Sequence, residues 1–194
     1  MTKGIRLIAG LGNPGSSYAE TRHNAGFRFI ERLISRVGGA LKRESKFSGE
    51  VAKVEIAGNE VWLLMPDTFM NNSGDAVATL SRFYKIEPAE ILVVHDDLDL
   101  PPGTVRLKVG GGHGGHNGLR DIVPKIGSSD FVRLRIGIGH PGSASQVASY
   151  VLKKAPQAEQ ELTDEAIDRA VKHIDDIVAG DHERVMNELH THSR

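Results

Sequence analysis

The chain has 194 residues, 39% of them apolar and 25% charged, and this length and composition predict one globular domain over residues 1–194. The absence of cysteine excludes disulfides, thiolate zinc sites and cysteine nucleophiles. A formal net charge of −1 excludes a basic field over the whole protein, so any RNA partner must be held by a local cluster of Lys and Arg.

Apolar periodicity and turn residues predict strands and helices along the whole chain. We expect strands over 5–11, about 46–57, 60–65, 91–95, 105–109 and 131–138. We expect helices over about 24–37, 72–85 and 116–126, further helical structure over 157–190, and a frayed tail from His190. Gly58 and Asn59 predict a hairpin turn between the second and third strands. This mixture favours an α/β fold in which a central, mixed, twisted sheet is covered by helices.

Two glycine-rich segments resemble nucleotide-binding loops. Gly10 to Gly15 has the spacing G-x-G-x-x-G, but the next helix begins only near Asn24, too late to receive a pyrophosphate. We interpret these glycines as a turn that lets Asn13 line a pocket. Gly110 to Gly118 lacks the Lys-Ser/Thr pair of a P-loop. Because it carries two histidines and an asparagine between a strand and a helix, we favour a mobile functional loop over a plain linker.

Metal and serine chemistry find weaker support. A metal site could draw on nitrogen and oxygen ligands that follow the strand at 91–95 or lie in the second glycine-rich segment: His95, Asp96, Asp97, Asp99, His113 and His116. No helical H-E-x-x-H spacing supports it, and adjacent acids after a strand are commonly a solvated turn. No G-x-S-x-G nucleophile elbow is present. We therefore expect no metal and no cofactor, and a metal-dependent hydrolase stays as an alternative.

His23 is the residue best suited to general base catalysis. Taken alone, a histidine just before a helix would be a cap or a surface residue, but its neighbours change that interpretation. The positive end of the helix favours the neutral imidazole, and Asp96, at the end of an apolar strand, could fix its tautomer. The amides of Asn13, Asn71 and Asn117 could donate to an oxyanion without titrating.

Five ordered blocks resemble bacterial peptidyl-tRNA hydrolase. The first joins Gly10 to Gly15 with Tyr18 and Thr21 to Gly26, and the others are Phe69 to Gly74, His95 to Pro101, Gly110 to Leu119 and Arg133 to Gly142. Together they cover about residues 5–142. The third block commonly has Glu where this chain has Asp97, and the second commonly has Leu where it has Asn72. Neither position is one to which we assign chemistry, and both bear only on local packing.

The resemblance implies an enzyme that hydrolyses the ester between a peptide and the terminal ribose of tRNA. It implies that His23 activates water, that Asp96 orients His23, and that Asn13 separates N-blocked from free aminoacyl-tRNA. Binding of the substrate's end falls to Tyr18, Phe69, Asn71 and Asn117. Lys108 and Arg135 resemble the family's clamp on tRNA phosphate, which supplies the local basic cluster that the net charge demands.

Partners and location follow from what the sequence lacks. Residues 1–6 have no apolar run typical of a signal peptide, and no later stretch is long enough to cross a bilayer, so we expect a cytoplasmic protein without a membrane partner. No heptad pattern or large apolar patch demands a dimer, so we expect a monomer with no obligate protein partner. A non-enzymatic RNA-binding protein on the same scaffold stays as an alternative, although the extra apolar surface expected of one is not evident.

Overall fold

Strands and helices alternate along the chain in the computed structural model, which describes residues 3–191. Within these residues there are seven strands: β1 (Leu7–Gly10), β2 (Lys42–Glu44), β3 (Gly49–Ile56), β4 (Asn59–Pro66), β5 (Ile91–Asp97), β6 (Val105–Val109) and β7 (Val132–Gly137). The same residues form seven α-helices: α1 (Ala25–Val37), α2 (Ser73–Phe83), α3 (Asn117–Ile126), α4 (Val147–Val151), α5 (Gln157–Lys172), α6 (Ile174–Ala179) and α7 (His182–Thr191).

All seven strands join one sheet in the order β2-β3-β4-β1-β5-β7-β6. Strand β1 pairs in parallel with β4 and β5, and β5 pairs in parallel with β7. The two edges are antiparallel, since β2, β3 and β4 form a meander and β6 runs against β7. This arrangement confirms the predicted α/β fold with a mixed sheet.

Helices cover both faces of the sheet because the central strands are buried on both sides. On β5, Leu92 and Val94 face the core that contains α1, α5, α6 and α7, whereas Ile91 and Val93 face the core beneath α2 and α3. All four side chains are at most 1% exposed. Strand β5 therefore reads as a continuous apolar run in the sequence, and the polar residues that follow it mark its carboxyl end.

Glycines let α1 lie directly against the carboxyl ends of the central strands. A Cβ atom on Gly26, in the first turn of α1, would lie 2.4 Å from the carbonyl oxygen of Val94. A Cβ atom on Gly10, at the end of β1, would lie 2.3 Å from the carbonyl oxygen of Gly26. No side chain fits at either position, and this close approach brings the residues that precede α1 to the end of β5.

Several element boundaries differ from the sequence-based expectation. The hairpin turn is formed by Ala57 and Gly58, both with positive φ, one residue earlier than predicted. The helical stretch over 157–190 is three helices, interrupted at His173 and at Gly180. The sequence did not predict the short elements β2 and α4.

The end of the chain is also more ordered than expected where it can be described. The predicted frayed tail is wrong for His190 and Thr191, which belong to α7, and residues 192–194 lie outside the described residues. Within residues 3–191, every helix is too short or too polar to cross a bilayer.

Candidate active site

A cavity of about 740 Å³ opens at the carboxyl end of β5. Parallel strands gather functional groups at this edge of a sheet because the loops that follow them converge there. The cavity lining includes His23, Asp96, Lys108, His116, Asn117 and Arg135. Five of these six were predicted site residues, and His116 was predicted only as part of a metal site.

His23 and Asp96 are in direct contact although 73 residues separate them in sequence. His23 lies in a 3₁₀ turn (Arg22–Asn24) just before α1, and its Nδ1 is 2.9 Å from Oδ2 and 3.0 Å from Oδ1 of Asp96. Both side chains are buried, at 10% and 3% exposure. Because Nδ1–H donates to the carboxylate, the lone pair of His23 is on Nε2, the atom available to accept a proton.

His116 contacts the same carboxylate through Oδ1. Its Nε2 is 2.8 Å from Oδ1 of Asp96. Its Nδ1 caps α3 by accepting from the backbone N–H groups of Gly118 and Leu119, at 3.1 and 3.4 Å. The cap fixes the neutral tautomer with the proton on Nε2, so His116 donates to Asp96. The sequence-based prediction placed His116 as the first residue of the helix, whereas α3 begins at Asn117 and His116 is its N-cap.

The same three residues are the only group in residues 3–191 with metal-ligand spacing, since one ligand atom from each lies within 4.8 Å of the others. Their hydrogen bonds argue against a metal at this point. A metal ion would need the lone pair on Nε2 of His116, which would force the proton to Nδ1 and break the cap of α3. The other proposed ligands, His95, Asp97, Asp99 and His113, are not part of this group. The arrangement fits a hydrogen-bonded triad better than a metal centre.

Charge and burial set the pKa values of this cluster. Burial alone would raise the pKa of Asp96, but His23 and His116 outweigh it through charge and hydrogen bonding, so this pKa lies well below its usual range. Burial lowers the pKa of His23, but the charge of Asp96 and its hydrogen bond raise it by more than burial lowers it. The pKa of His23 therefore lies above the ordinary value of 6.5. The helix end was expected to favour the neutral form, and the carboxylate overrides that effect.

His95 packs edge-to-face against His116 and is the third imidazole of the cluster. The two ring centroids are 5.1 Å apart, and Nδ1 of His95 donates to the carbonyl oxygen of Asp96 at 2.8 Å. Burial and then the neighbouring His116 lower the pKa of His95 to about 4. His95 therefore supports the end of β5 without adding charge near physiological pH.

Asn13 is fixed by bonds at three of its polar atoms. Its side-chain Oδ1 accepts from the backbone N–H of Met70 at 2.7 Å. Its backbone N–H and carbonyl bond the side chain of Asn24, at 2.8 and 2.9 Å. The amide nitrogen of Asn13 has no acceptor within residues 3–191, so one oriented donor is left over. The role of Asn24 in holding Asn13 was not predicted from the sequence.

The remaining predicted substrate residues lie in two places. Tyr18 and Phe69 form an edge-to-face pair with ring centroids 6.2 Å apart, and Phe69 is 57% exposed. Asn71 is exposed in the turn Met70–Asn72. Met70, which lies between Phe69 and Asn71 in sequence, bonds Asn13, and none of these three predicted residues lines the large cavity. Asn117, the first residue of α3, does line it, with Oδ1 bonded to Arg120 at 3.2 Å.

Four cations share one face of the β6–β7 pair. Antiparallel pairing places Arg106 opposite Arg135 and Lys108 opposite Arg133. Arg133 donates to the carbonyl oxygens of Gly111 and Gly112 and so ties down the glycine-rich loop, a role not anticipated from sequence. Lys108 has no ion pair or hydrogen bond within residues 3–191. The sheet thereby creates the local basic cluster that the sequence required.

Asp97 corrects one expectation. It was expected to bear only on local packing, but its Oδ2 accepts from Nε of Arg135 at 2.7 Å. The pair is mostly buried, with side-chain exposures of 23% for Arg135 and 13% for Asp97. Both residues line the cavity, so Asp97 forms an ion pair with one of the cations of the cavity wall, Arg135.

A short apolar segment forms part of the cavity lining. Val147, Ala148 and Val151, all in α4, line the cavity. This segment is attached to the His23 turn, because the guanidinium of Arg22 lies 3.7 Å above the ring of Tyr150 and donates to the Tyr150 carbonyl oxygen at 2.9 Å.

Known proteins resemble this chain over nearly its full length. The profile of one family, described as Peptidyl-tRNA hydrolase, matches residues 7–194. A peptidyl-tRNA hydrolase from Teredinibacter turnerae is 57% identical over 192 residues, which is 98% of this chain and 100% of that one. One from Marinomonas sp. is 57% identical and covers 97% of each chain. The crystal structure of peptidyl-tRNA hydrolase from Acinetobacter baumannii has a TM-score of 0.95 at 54% identity, covering 97% of this chain and 96% of that chain.

Proposed function

This chain belongs to the peptidyl-tRNA hydrolase family and hydrolyses the ester bond that joins peptide to tRNA, and we propose that His23 is the general base of this reaction. The observation that carries the proposal is the 2.9 Å contact between Nδ1 of His23 and Asp96. That contact commits Nδ1 to the carboxylate and leaves Nε2 to accept a proton from water.

The reaction then needs one base and one set of amide donors. Nε2 of His23 removes a proton from water as the water oxygen attacks the ester carbonyl carbon. Asp96 stabilises the imidazolium that forms, and amide N–H groups stabilise the oxyanion. Collapse of the tetrahedral intermediate breaks the bond to the ribose oxygen, and the imidazolium returns its proton to that oxygen. The products are the free peptide acid and tRNA with its terminal hydroxyl restored.

Three asparagines supply the donors in this proposal. Asn71 or Asn117 donates to the oxyanion, and a single donor of this kind typically contributes roughly 2.7–4 kcal/mol to transition-state stabilisation. Asn13 separates N-blocked from free aminoacyl-tRNA, a role supported by its one unused and firmly oriented amide nitrogen. Tyr18 and Phe69 bind the substrate's end through their edge-to-face pair, in which Phe69 is exposed and Tyr18 is half-buried.

Lys108 and Arg135 bind phosphate of the tRNA in this proposal. Both line the cavity, and they stand on one face of the β6–β7 pair. Because peptidyl-tRNA arises where translation takes place, we place the protein in the cytoplasm. We also propose that it acts as a monomer, because its exposed large apolar side chains are distributed over separate elements: Phe69, Phe83, Val109, Leu152 and Leu162.

The experiment that tests this proposal compares His23→Ala with the wild-type protein on N-blocked and on free aminoacyl-tRNA. We expect wild type to hydrolyse only the N-blocked substrate and His23→Ala to lose turnover while keeping its thermal midpoint. Retained turnover in the variant would remove His23 as the base. A parallel assay in EDTA tests a metal-dependent hydrolase, which would lose activity there, and RNA binding without turnover by wild type would support a non-enzymatic binding protein.

A further inference from the structure

Both carboxylate oxygens of Asp97, the last residue of β5, are engaged. Oδ1 accepts from the backbone N–H of Asp99 at 2.8 Å, which fixes the turn that leaves the strand. Oδ2 accepts from Nε of Arg135 at 2.7 Å. The side chain of Asp97 therefore has little freedom to rotate, and it joins the loop after β5 to a cation on β7.

This bond leaves the other edge of the Arg135 guanidinium open. Within residues 3–191, its two terminal nitrogens have no acceptor, and the side chain lines the 740 Å³ cavity. Of the other cations on this sheet face, Arg133 is committed to the carbonyl oxygens of the glycine-rich loop and Arg106 does not line the cavity. Arg135 thus presents a forked pair of donors whose direction is set by Asp97.

A carboxylate beside a phosphate-binding cation requires a reason, because its charge repels phosphate. Orientation provides one. A free Arg side chain loses rotamer freedom when it binds, whereas an Arg already held in one direction loses less and delivers the phosphate to one position. The position of the bound phosphate helps to set the distance between the ester and its base. This distance matters because a small displacement of the reacting atoms lowers the reaction rate strongly.

We propose that Asp97 is a positioning residue that sets the direction of Arg135, so that tRNA phosphate held by Arg135 brings the ester into register with His23. This inference rests on the proposed function, in which Arg135 binds phosphate. It predicts opposite signatures for the two partners. Loss of Arg135 removes a phosphate contact and therefore raises KM. Loss of the Asp97 charge removes both its repulsion of the phosphate and its restraint on Arg135. In that case kcat falls because Arg135 is no longer held, and KM does not rise because the repulsion is gone.

The kinetic test uses Asp97→Asn, Asp97→Glu, Arg135→Gln and the double variant Asp97→Asn/Arg135→Gln on peptidyl-tRNA. We expect Asp97→Asn to lower kcat about tenfold with KM no higher than wild type. Asp97→Glu keeps the charge and should stay within about threefold of the wild-type kcat. In the Arg135→Gln background, Asp97→Asn should change kcat less than about twofold, because the residue it positions is gone. An equal loss in both backgrounds, or a KM raised as far as in Arg135→Gln, would overturn the proposal.

Two further measurements keep the result specific. The Nε–H resonance of Arg135 in ¹⁵N–¹H NMR spectra of the free protein should exchange slowly in wild type and Asp97→Glu and rapidly in Asp97→Asn; equal exchange in all three would also overturn the proposal. The acid limb of the pH profile should be the same in Asp97→Asn as in wild type, and a displaced limb would mean that Asp97 acts through Asp96. Because the NMR measurement needs no tRNA, it tests whether Asp97 restrains Arg135 independently of activity. Failure of the wild-type protein to hydrolyse peptidyl-tRNA would instead count against the proposed function.

Discussion

Nε2 of His116 lies 2.8 Å from Oδ1 of Asp96, so the carboxylate that holds His23 is itself held from the opposite side. His116 contacts Oδ1 alone, whereas His23 lies within hydrogen-bond distance of both oxygens, and the two ring centroids are 5.1 Å apart. Because Nδ1 of His116 caps α3, the direction of the carboxylate depends on the start of that helix. The base, the carboxylate and the helix cap therefore form one hydrogen-bonded unit.

The pH dependence of catalysis should reveal the charge of Asp96. His23 acts as a base only when it is unprotonated, so kcat/KM should rise with pH through a midpoint above 6.5, since Asp96 raises the pKa of His23. In Asp96→Asn only the effect of burial remains, and it lowers the pKa of His23, so the midpoint should move below 6.5. The plateau should fall by about 10²–10⁴-fold.

The measurement is kcat/KM for wild type and Asp96→Asn from about pH 5 to about pH 9. Asp99→Asn is the matched control, because Asp99 is an exposed acid three residues further along the same segment. It should leave the midpoint unchanged. A midpoint that Asp96→Asn does not move would mean that another group sets the acid limb.

Two substitutions of His116 should separate its two roles. Asn is a favoured N-cap residue and Ala is not, so His116→Ala should lose about 1 kcal/mol of stability and about 2–4 °C in thermal midpoint, whereas His116→Asn should stay near wild type. Both lose the bond to Asp96, and both should lower kcat/KM by about tenfold. Full activity in His116→Asn together with a defect in His116→Ala would show that His116 serves only as a cap.

The tether from Arg133 should control opening of the glycine-rich loop. In Arg133→Gln the carbonyl oxygens of Gly111 and Gly112 lose their donor, so amides within the loop should exchange with solvent at least about tenfold faster. The relevant amides are those already hydrogen-bonded near or inside the loop: Gly110, Gly115 and His116. Arg106→Gln is the control, because it removes a cation from the same sheet face whose side chain has no hydrogen bond to the loop within residues 3–191. Identical exchange in the two variants would contradict the tether.

The approach of α1 to β5 should tolerate no side chain at Gly26. A Cβ atom there would meet backbone atoms of Val94 and Leu11 at 2.4–2.6 Å, so Gly26→Ala should cost roughly 3 kcal/mol and about 6–12 °C in thermal midpoint. Gly112→Ala is the control, since a Cβ atom there meets nothing within 4 Å. Equal midpoints for the two variants would mean that α1 can move away from the sheet at little cost.

Much of the fold could be predicted because its signals are local. The apolar runs of β1 and β5 identify two buried strands without any long-range information, but the order of the strands in the sheet could not be predicted from them. Strand β2 carries three charged residues, Lys42, Arg43 and Glu44, and exists only because β3 lies beside it. The break at His173 likewise has no Gly or Pro to mark it, whereas Gly180 did offer a signal at the second break.

The site could be predicted only as far as residue types and strand ends allow. His23 and Asp96 are a base and a carboxylate at positions that a parallel sheet brings together. The pairing of Asp97 with Arg135 depends on the register of β5 against β7, across 38 residues of sequence, and the bond from His116 depends on the path of a glycine-rich loop. Neither property has a local signature in the chain.

The position of β7 in the sheet has a consequence for synthesis of the protein. Strand β5 lies between β1 and β7, although β7 is made after β6 and α3. A nascent chain that ends before β7 leaves one edge of β5 unpaired and lacks Arg133, which holds the glycine-rich loop beside Asp96. While it is being translated, this protein is itself a peptidyl-tRNA, and for most of that time it has no assembled site with which to cleave its own ester bond.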